Sequence, residues 1–125
     1  MFSVSSSTDA TAFANTISTV IKTFSHIDAL ILNAGVLDPV GKITSPELSL
    51  EAWKRHFEVN FFSLVTAVRT TVPWLHKSQH GGRIIFISSG ASTGNTYGWA
   101  PYNASKAAVN SLCRCVHRYT CHVRV

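Results

Sequence analysis

Apolar residues follow a helical spacing in two long stretches of the chain. In the first stretch, the positions that predict the buried face of a helix are Phe13, Ile17, Val20, Ile21 and Phe24. Ser7 or Thr8 is the predicted N-cap of that helix. A second helix is predicted from about Leu50 until Pro73 helps to end it, with an apolar stripe formed by Trp53, Phe57, Asn60, Phe61, Leu64, Val65 and Val68.

Short apolar and β-branched runs between these stretches predict strands. One run covers about Asp28 to Leu32, and another begins at Gly82 and leads to Ser88 and Ser89. Residues Met1–Val4 are predicted to be the stub of an earlier strand. This alternation of strands and helices predicts an α/β fold with a parallel sheet and crossover helices. No repeat or linker divides residues 1–125, which predicts one domain.

Tyr102 and Lys106 are separated by three residues, so a helix would place both side chains on one face. A neighbouring ammonium stabilises a tyrosine phenolate, which makes such a pair suitable for acid–base chemistry. Ser89 lies thirteen residues upstream of Tyr102, at the end of a strand-like run, where its hydroxyl can donate to a carbonyl oxygen. Taken alone, Tyr-x-x-x-Lys is more often an exposed aromatic–amine pair on a helix surface.

Two further motifs precede these residues. Asn33, Ala34 and Gly35 follow a strand-like run, and a turn with glycine at positive φ would equally explain them. Asn60 lies on an apolar helix face, where a core amide satisfied by the backbone is the alternative.

In the order and spacing of these four motifs, the sequence resembles the short-chain dehydrogenase/reductase family of single Rossmann-type domains. Members transfer a hydride between a nicotinamide cofactor and a carbonyl or alcohol. The resemblance implies catalytic roles for Ser89, Tyr102 and Lys106, with Asn60 holding a water that connects Lys106 to solvent. It also implies that Tyr102, Lys106 and the backbone of Asn33–Gly35 contact the cofactor.

Within the family, the segments after Gly35, Asn60 and Ser89 resemble the benzil-reductase and sepiapterin-reductase-like branch. That resemblance implies reduction of a ketone or diketone-like substrate, with NADPH expected in preference to NADH. Tyr97 and Trp99 are predicted to line the substrate pocket with Ser89, although aromatic residues that merely anchor a loop remain an equal alternative.

The sequence also departs from the family pattern. It contains no Gly-x-x-x-Gly-x-Gly motif to hold a cofactor pyrophosphate, and its first glycine is Gly35. Residues 118–125 show no resemblance to the family. We therefore interpret the chain as a central fragment: a partial, doubly wound Rossmann-type parallel sheet of about three strands.

This interpretation predicts that the chain is inactive by itself. Two alternatives remain open. One is a non-catalytic chain that pairs with a full-length family member, or with another copy, through the long helices. The other is a chain that aggregates because its strand edges and helix faces lack partners.

Composition and charge limit the remaining function classes. With 46% hydrophobic and 14% charged residues, the chain is not of the disordered type. No apolar run approaches the roughly 20 residues of a membrane span, and without a secretory signal we expect a cytoplasmic protein. Seven basic residues and no acid follow Val59. Because they are scattered and no nucleic-acid motif occurs, we expect a small-molecule partner rather than nucleic acid or membrane.

Cysteine and histidine near the end of the chain suggest a metal site at first sight. Cys113, His117 and Cys121 are spaced four residues apart, along one predicted helical face. Three ligands stacked along a straight helix are too far apart to converge on one zinc ion, so no metal site is predicted.

Overall fold

The structure, a computed structural model, describes residues 9–119 and 123–125. Its main elements are α1 (Ala10–Phe24), β1 (Ala29–Leu32), α2 (Leu50–Phe57), α3 (Ser63–Leu75), β2 (Gly82–Phe86), α4 (Ala100–Tyr119) and β3 (Val123–Arg124). A π-helical segment, Glu58–Phe62, joins α2 to α3, and the short 3₁₀ helices are Pro46–Leu48 and Gly90–Ser92. In these described stretches, no helix is both long and apolar enough to cross a membrane.

The three strands form one parallel sheet in the order β1-β2-β3. Ile31 of β1 pairs with Ile85 of β2, and Gly82 of β2 pairs with Val123 of β3. The predicted α/β fold with a parallel sheet and crossover helices is therefore confirmed. The predicted stub at Met1–Val4 lies outside the described residues, and β3 comes from the end of the chain, where two residues are too few to give a sequence pattern.

The two faces of the sheet have different environments because side chains alternate along a strand. One face packs against the helices in a core formed by Leu32, Leu64, Ala67, Val68, Leu75, Ile84, Val109, Val116 and Val123. The opposite face exposes Ile31 and Ile85 by 63% and 45%, and Ile87 just beyond β2 by 40%.

The predicted N-cap of α1 was wrong. Asp9 caps the helix instead of Ser7 or Thr8, and its Oδ1 accepts hydrogen bonds from the backbone N–H groups of Thr11 at 2.8 Å and Ala12 at 3.2 Å. Aspartate is as good a cap as serine or threonine, so residue preference alone could not choose between adjacent candidates.

Two other expectations about the helices need correction. Phe24 is 65% exposed, because it is the last residue of α1, where the chain turns away at Ser25 with φ of 69°. Pro73 lies inside α3, which continues to Leu75. A proline removes one N–H donor but does not prevent the residues after it from keeping helical geometry.

Asp28 connects the segment before β1 with the loop before β2. Its Oδ1 accepts a hydrogen bond of 2.5 Å from Ser78 Oγ, and its Oδ2 lies 3.1 Å from His26 Nε2. The Ser78 hydrogen bond, with smaller contributions from His26 and His80, holds the pKa of the Asp28 carboxyl below its usual value of 3.8.

We expect Asp28→Asn to destabilise the protein at neutral pH. The amide carries no charge, so its interactions with Ser78 and His26 are weaker than those of the carboxylate. A lowered pKa contributes stability that is present above about pH 3.8 and is lost as the pH falls through the folded-state pKa. Urea unfolding should therefore give a wild-type-to-variant difference that shrinks in acid. Glu47→Gln, at an exposed carboxyl, is the control. A difference that does not change with pH would contradict this assignment.

Candidate active site

Two loops meet at the carboxyl ends of β1 and β2. Residues 33–35 follow β1, and Ser88 and Ser89 follow β2. Because the strands are parallel, both loops leave the same edge of the sheet, where ligands bind in open α/β folds. Asn33, Ala34 and Gly35 are exposed at this edge, so their backbone is accessible to a ligand.

Asn60 links the first loop to α4. It is fully buried in the π-helical segment, and its Oδ1 accepts a hydrogen bond from the Val36 N–H at 2.7 Å. Its Nδ2 donates to Val36 O at 2.9 Å and to Ser105 Oγ at 3.1 Å. Both hydrogens on Asn60 Nδ2 are therefore donated in hydrogen bonds. The water relay predicted for Asn60 stays a prediction.

Lys106 lies where α4 meets both loops. Its side chain is buried, and its Nζ donates a 2.9 Å hydrogen bond to Ile87 O, just after β2. A Cβ atom added at Gly35 would lie 3.6 Å from Nζ and 3.5 Å from Asn60 Oδ1. Burial lowers the pKa of the Lys106 ammonium below its usual value of 10.5.

Tyr102 lies one turn before Lys106 on α4, as predicted. The ring centroid of Tyr102 is 5.7 Å from Lys106 Nζ, and the ring is half-buried. Ser105, which is fully buried, donates a 2.7 Å hydrogen bond to Tyr102 O while it accepts from Asn60. The hydrogen bonds of Asn60 therefore extend from the first loop to the turn of α4 that carries Tyr102.

The two serines after β2 make different hydrogen bonds. Ser89 Oγ accepts from the Ala91 N–H at 3.1 Å, and a hydroxyl that accepts in this way can still donate its hydrogen. Ser88 Oγ donates its hydrogen to Asn110 Oδ1 at 2.6 Å. Of the two, Ser89 is the serine whose hydrogen can serve a substrate.

The two aromatic residues predicted to line a substrate pocket have different surroundings. Trp99 packs edge-to-face on Tyr102, with ring centroids 5.8 Å apart. Tyr97 is 75% exposed and lines an open groove of about 690 Å³, formed with residues 41–44. Gly41 and Gly98 also line this groove, and the Gly41 N–H donates a 2.9 Å hydrogen bond to Gly98 O.

Several residues of the site were not predicted from the sequence. His56 is fully buried, with its ring nitrogens 2.8 Å from Leu37 O and 3.0 Å from Ala52 O. His56 and Ser105 had a usable signal, since the residues three and four positions away from each on its helix are mostly apolar. Val36 and Ile87 take part through backbone atoms, for which a sequence carries no signal.

In the part of the chain that the structure describes, no three His, Cys, Asp or Glu side chains are grouped so that they could hold a metal ion. Cys113 and Cys115 are free thiols. Cys121, the third position of the metal alternative, lies outside the described residues.

The chain belongs to the short chain dehydrogenase family, whose family model matches residues 1–125. It is 44% identical over 96 residues to an uncharacterized oxidoreductase of Schizosaccharomyces pombe, covering 77% of this chain and 37% of that protein. It is also 44% identical over 86 residues to benzil reductase ((S)-benzoin forming) of Saccharomyces cerevisiae, covering 67% of this chain and 33% of that protein.

The fold agrees with this assignment. The crystal structure of a short chain dehydrogenase/reductase from Saccharomyces cerevisiae matches with a TM-score of 0.86 and 32% identity, covering 94% of this chain and 45% of that one. The partial Rossmann-type fold is thereby confirmed. The chain spans between 33% and 45% of the length of these relatives.

The extent of the family match corrects one expectation. Residues 118–125 were expected to show no resemblance to the family, yet the match extends through Val125. Val123 and Arg124 also continue the parallel sheet beside β2. Residues 118–125 form a segment too short for its family membership to be visible by inspection.

We expect Asn60→Leu to lower the free energy of unfolding by about 3 kcal/mol, because it leaves the Val36 N–H and C=O and the Ser105 hydroxyl without this partner. Urea denaturation measures the loss. Asn15→Leu, at an exposed amide on α1, is the control and should change stability little. Equal stabilities for wild type and Asn60→Leu would show that the buried amide does not hold the loop.

Proposed function

We propose that this chain provides the catalytic part of an NADPH-dependent carbonyl reductase. The observation that carries the proposal is the set of hydrogen bonds joining three segments at one edge of the sheet. Asn60 connects Val36 to Ser105, and Lys106 connects α4 to Ile87, two residues before Ser89. These hydrogen bonds support the proposal that the candidate catalytic residues form one site.

The residues at this edge fit a nicotinamide cofactor. The exposed backbone of residues 33–35 offers hydrogen-bonding groups, and Gly35 presents no side chain between that backbone and Lys106. An ammonium has three donors, so Lys106 can bind ribose hydroxyls while it keeps its bond to Ile87 O. The preference for NADPH over NADH rests on the resemblance to the benzil-reductase branch.

A reduced nicotinamide bound at this edge would supply the hydride that the carbonyl carbon receives in the proposed reaction. Ser89 donates its hydroxyl hydrogen to the carbonyl oxygen while its Oγ still accepts from Ala91. Tyr102 delivers the proton to the same oxygen, and the nearby Lys106 ammonium favours the resulting phenolate. Asn60 holds the loop after β1 against α4 through its hydrogen bonds to Val36 and Ser105.

For the substrate, we propose an aromatic ketone or diketone-like compound. Trp99 lies against Tyr102, where an aromatic wall would contact the substrate beside the proton donor. The similarity to a benzil reductase supports the same substrate class. Tyr97 stays a proposed substrate contact, at the groove beside residues 41–44. We also propose that the protein acts in the cytoplasm.

Calorimetric titration with NADPH and NADH tests the cofactor site. We expect saturable binding that favours NADPH, and at least about tenfold weaker binding for Lys106→Met, which removes a charged donor. Tyr102→Phe should retain binding because it keeps the ring, and Lys77→Met is the control at an exposed lysine. A folded chain that binds neither nucleotide would contradict the proposed function.

We expect no steady-state reduction of benzil by the 125-residue chain alone, because it contains no glycine-rich motif for the cofactor pyrophosphate. The absorbance of NADPH, followed with benzil present, measures the rate. A rate comparable to that of full-length benzil reductase, absent in Tyr102→Phe, would refute this expectation while supporting the catalytic assignment.

One feature favours association with a full-length family member or a second copy as an alternative role. Phe62, in the π-helical segment of the long helix, is 49% exposed and packs edge-to-face on Phe61. Exposed aromatic residues of this kind are common in interfaces. A folded chain that does not bind nucleotide but co-purifies with a full-length reductase would favour this role.

A further inference from the structure

Asn110 lies on α4 one turn beyond Lys106 and two turns beyond Tyr102. Residues four apart on a helix share a face, so these three side chains point toward the same edge of the sheet. The reaction proposed above uses Tyr102 and Lys106 and assigns no role to Asn110.

The Asn110 amide holds both ends of the segment that carries Ser89. Its Oδ1 accepts a 2.6 Å hydrogen bond from Ser88 Oγ, and its Nδ2 donates a 2.8 Å hydrogen bond to Ser92 Oγ. Ser89 lies between these two serines and is the N-cap of the 3₁₀ helix Gly90–Ser92. One side chain therefore fixes the residue before Ser89 and the end of the turn that follows it.

We propose that Asn110 is a positioning residue that fixes Ser89 for its hydrogen bond to the substrate oxygen. The two ends of the amide have different roles. Its Oδ1 accepts the hydrogen bond from Ser88 Oγ, and its Nδ2 donates a hydrogen bond to Ser92 Oγ. Ser88 is thereby excluded as a competing donor, and Ser89 is held with its Oγ against the Ala91 N–H. The assignment to a substrate rests on the proposed function, whereas the positioning of Ser89 does not.

The Ala91 amide reports whether Ser89 is in place. Its N–H is bonded to Ser89 Oγ, and Ala91 is 8% exposed, so hydrogen exchange there depends on that bond. Exchange is measured by NMR on the cofactor-free chain, with the amide of fully buried Val109 as the reference for global stability. The exchange measurement needs neither cofactor nor substrate. It can therefore fail or succeed independently of whether the chain binds NADPH.

We expect Asn110→Leu to raise Ala91 exchange about tenfold relative to Val109, because both tethers are lost. Asn110→Asp should restore protection, since a carboxylate accepts from both serine hydroxyls. Asn103→Leu is the matched control, because Asn103 lies on the same helix but bonds Gly94 O at the far end of the loop. It should leave Ala91 unchanged.

Unchanged Ala91 exchange in Asn110→Leu, or an equal rise in Asn103→Leu, would overturn the proposal. If Asn110→Leu does not fold, Ser92→Ala removes one tether and keeps the amide. An intermediate rise in that variant supports the proposal, and wild-type exchange overturns it.

Discussion

A buried primary amide constrains the arrangement of the site. Asn60 is fully buried, and an amide without partners in such a place costs free energy comparable to several lost hydrogen bonds. Its partners are 24 residues away at Val36 and 45 residues away at Ser105. The loop after β1 and the helix α4 must therefore approach the same point of the long helix, and the π-helical segment is the part of that helix that carries the amide to it.

The position of Lys106 in the site is unfavourable for a charged side chain. Lys106 is buried with its Nζ against Ile87 O, and burial disfavours the charged ammonium, as its lowered pKa reflects. This penalty on the charged form is present at neutral pH and is relieved only as the pH rises toward 10.5. A lysine whose pKa is shifted by burial in such a place is a candidate functional residue, and the role of Lys106 stays a prediction.

Much of the fold was predictable because its signals are local. Helical spacing and β-branched runs predicted β1, β2 and the long helix from about Leu50, and the interval between Tyr102 and Lys106 predicted their shared face on α4. The two-residue strand β3 was not predictable, since its formation depends on pairing with β2.

In the site too, residues marked by a local sequence pattern were predictable, whereas contacts between distant segments were not. Side chains such as Ser89 and Asn60 were identifiable by type and position, although their catalytic roles stay predictions. Their partners at Val36 and Ile87 are backbone groups, and no residue type marks them. Asn110 carries an ordinary polar side chain whose two serine partners become visible only when α4 is placed beside the loop after β2.

We propose that three segments distant in sequence form one nucleotide site at the carboxyl edge of the sheet. An NMR titration of the isotope-labelled chain with NADPH shows whether all three segments respond to the nucleotide. We expect saturable chemical-shift changes in all three segments: residues 33–36, residues 87–89 and the first turns of α4 around Tyr102. Changes confined to one segment, or to the groove beside Tyr97, would contradict it.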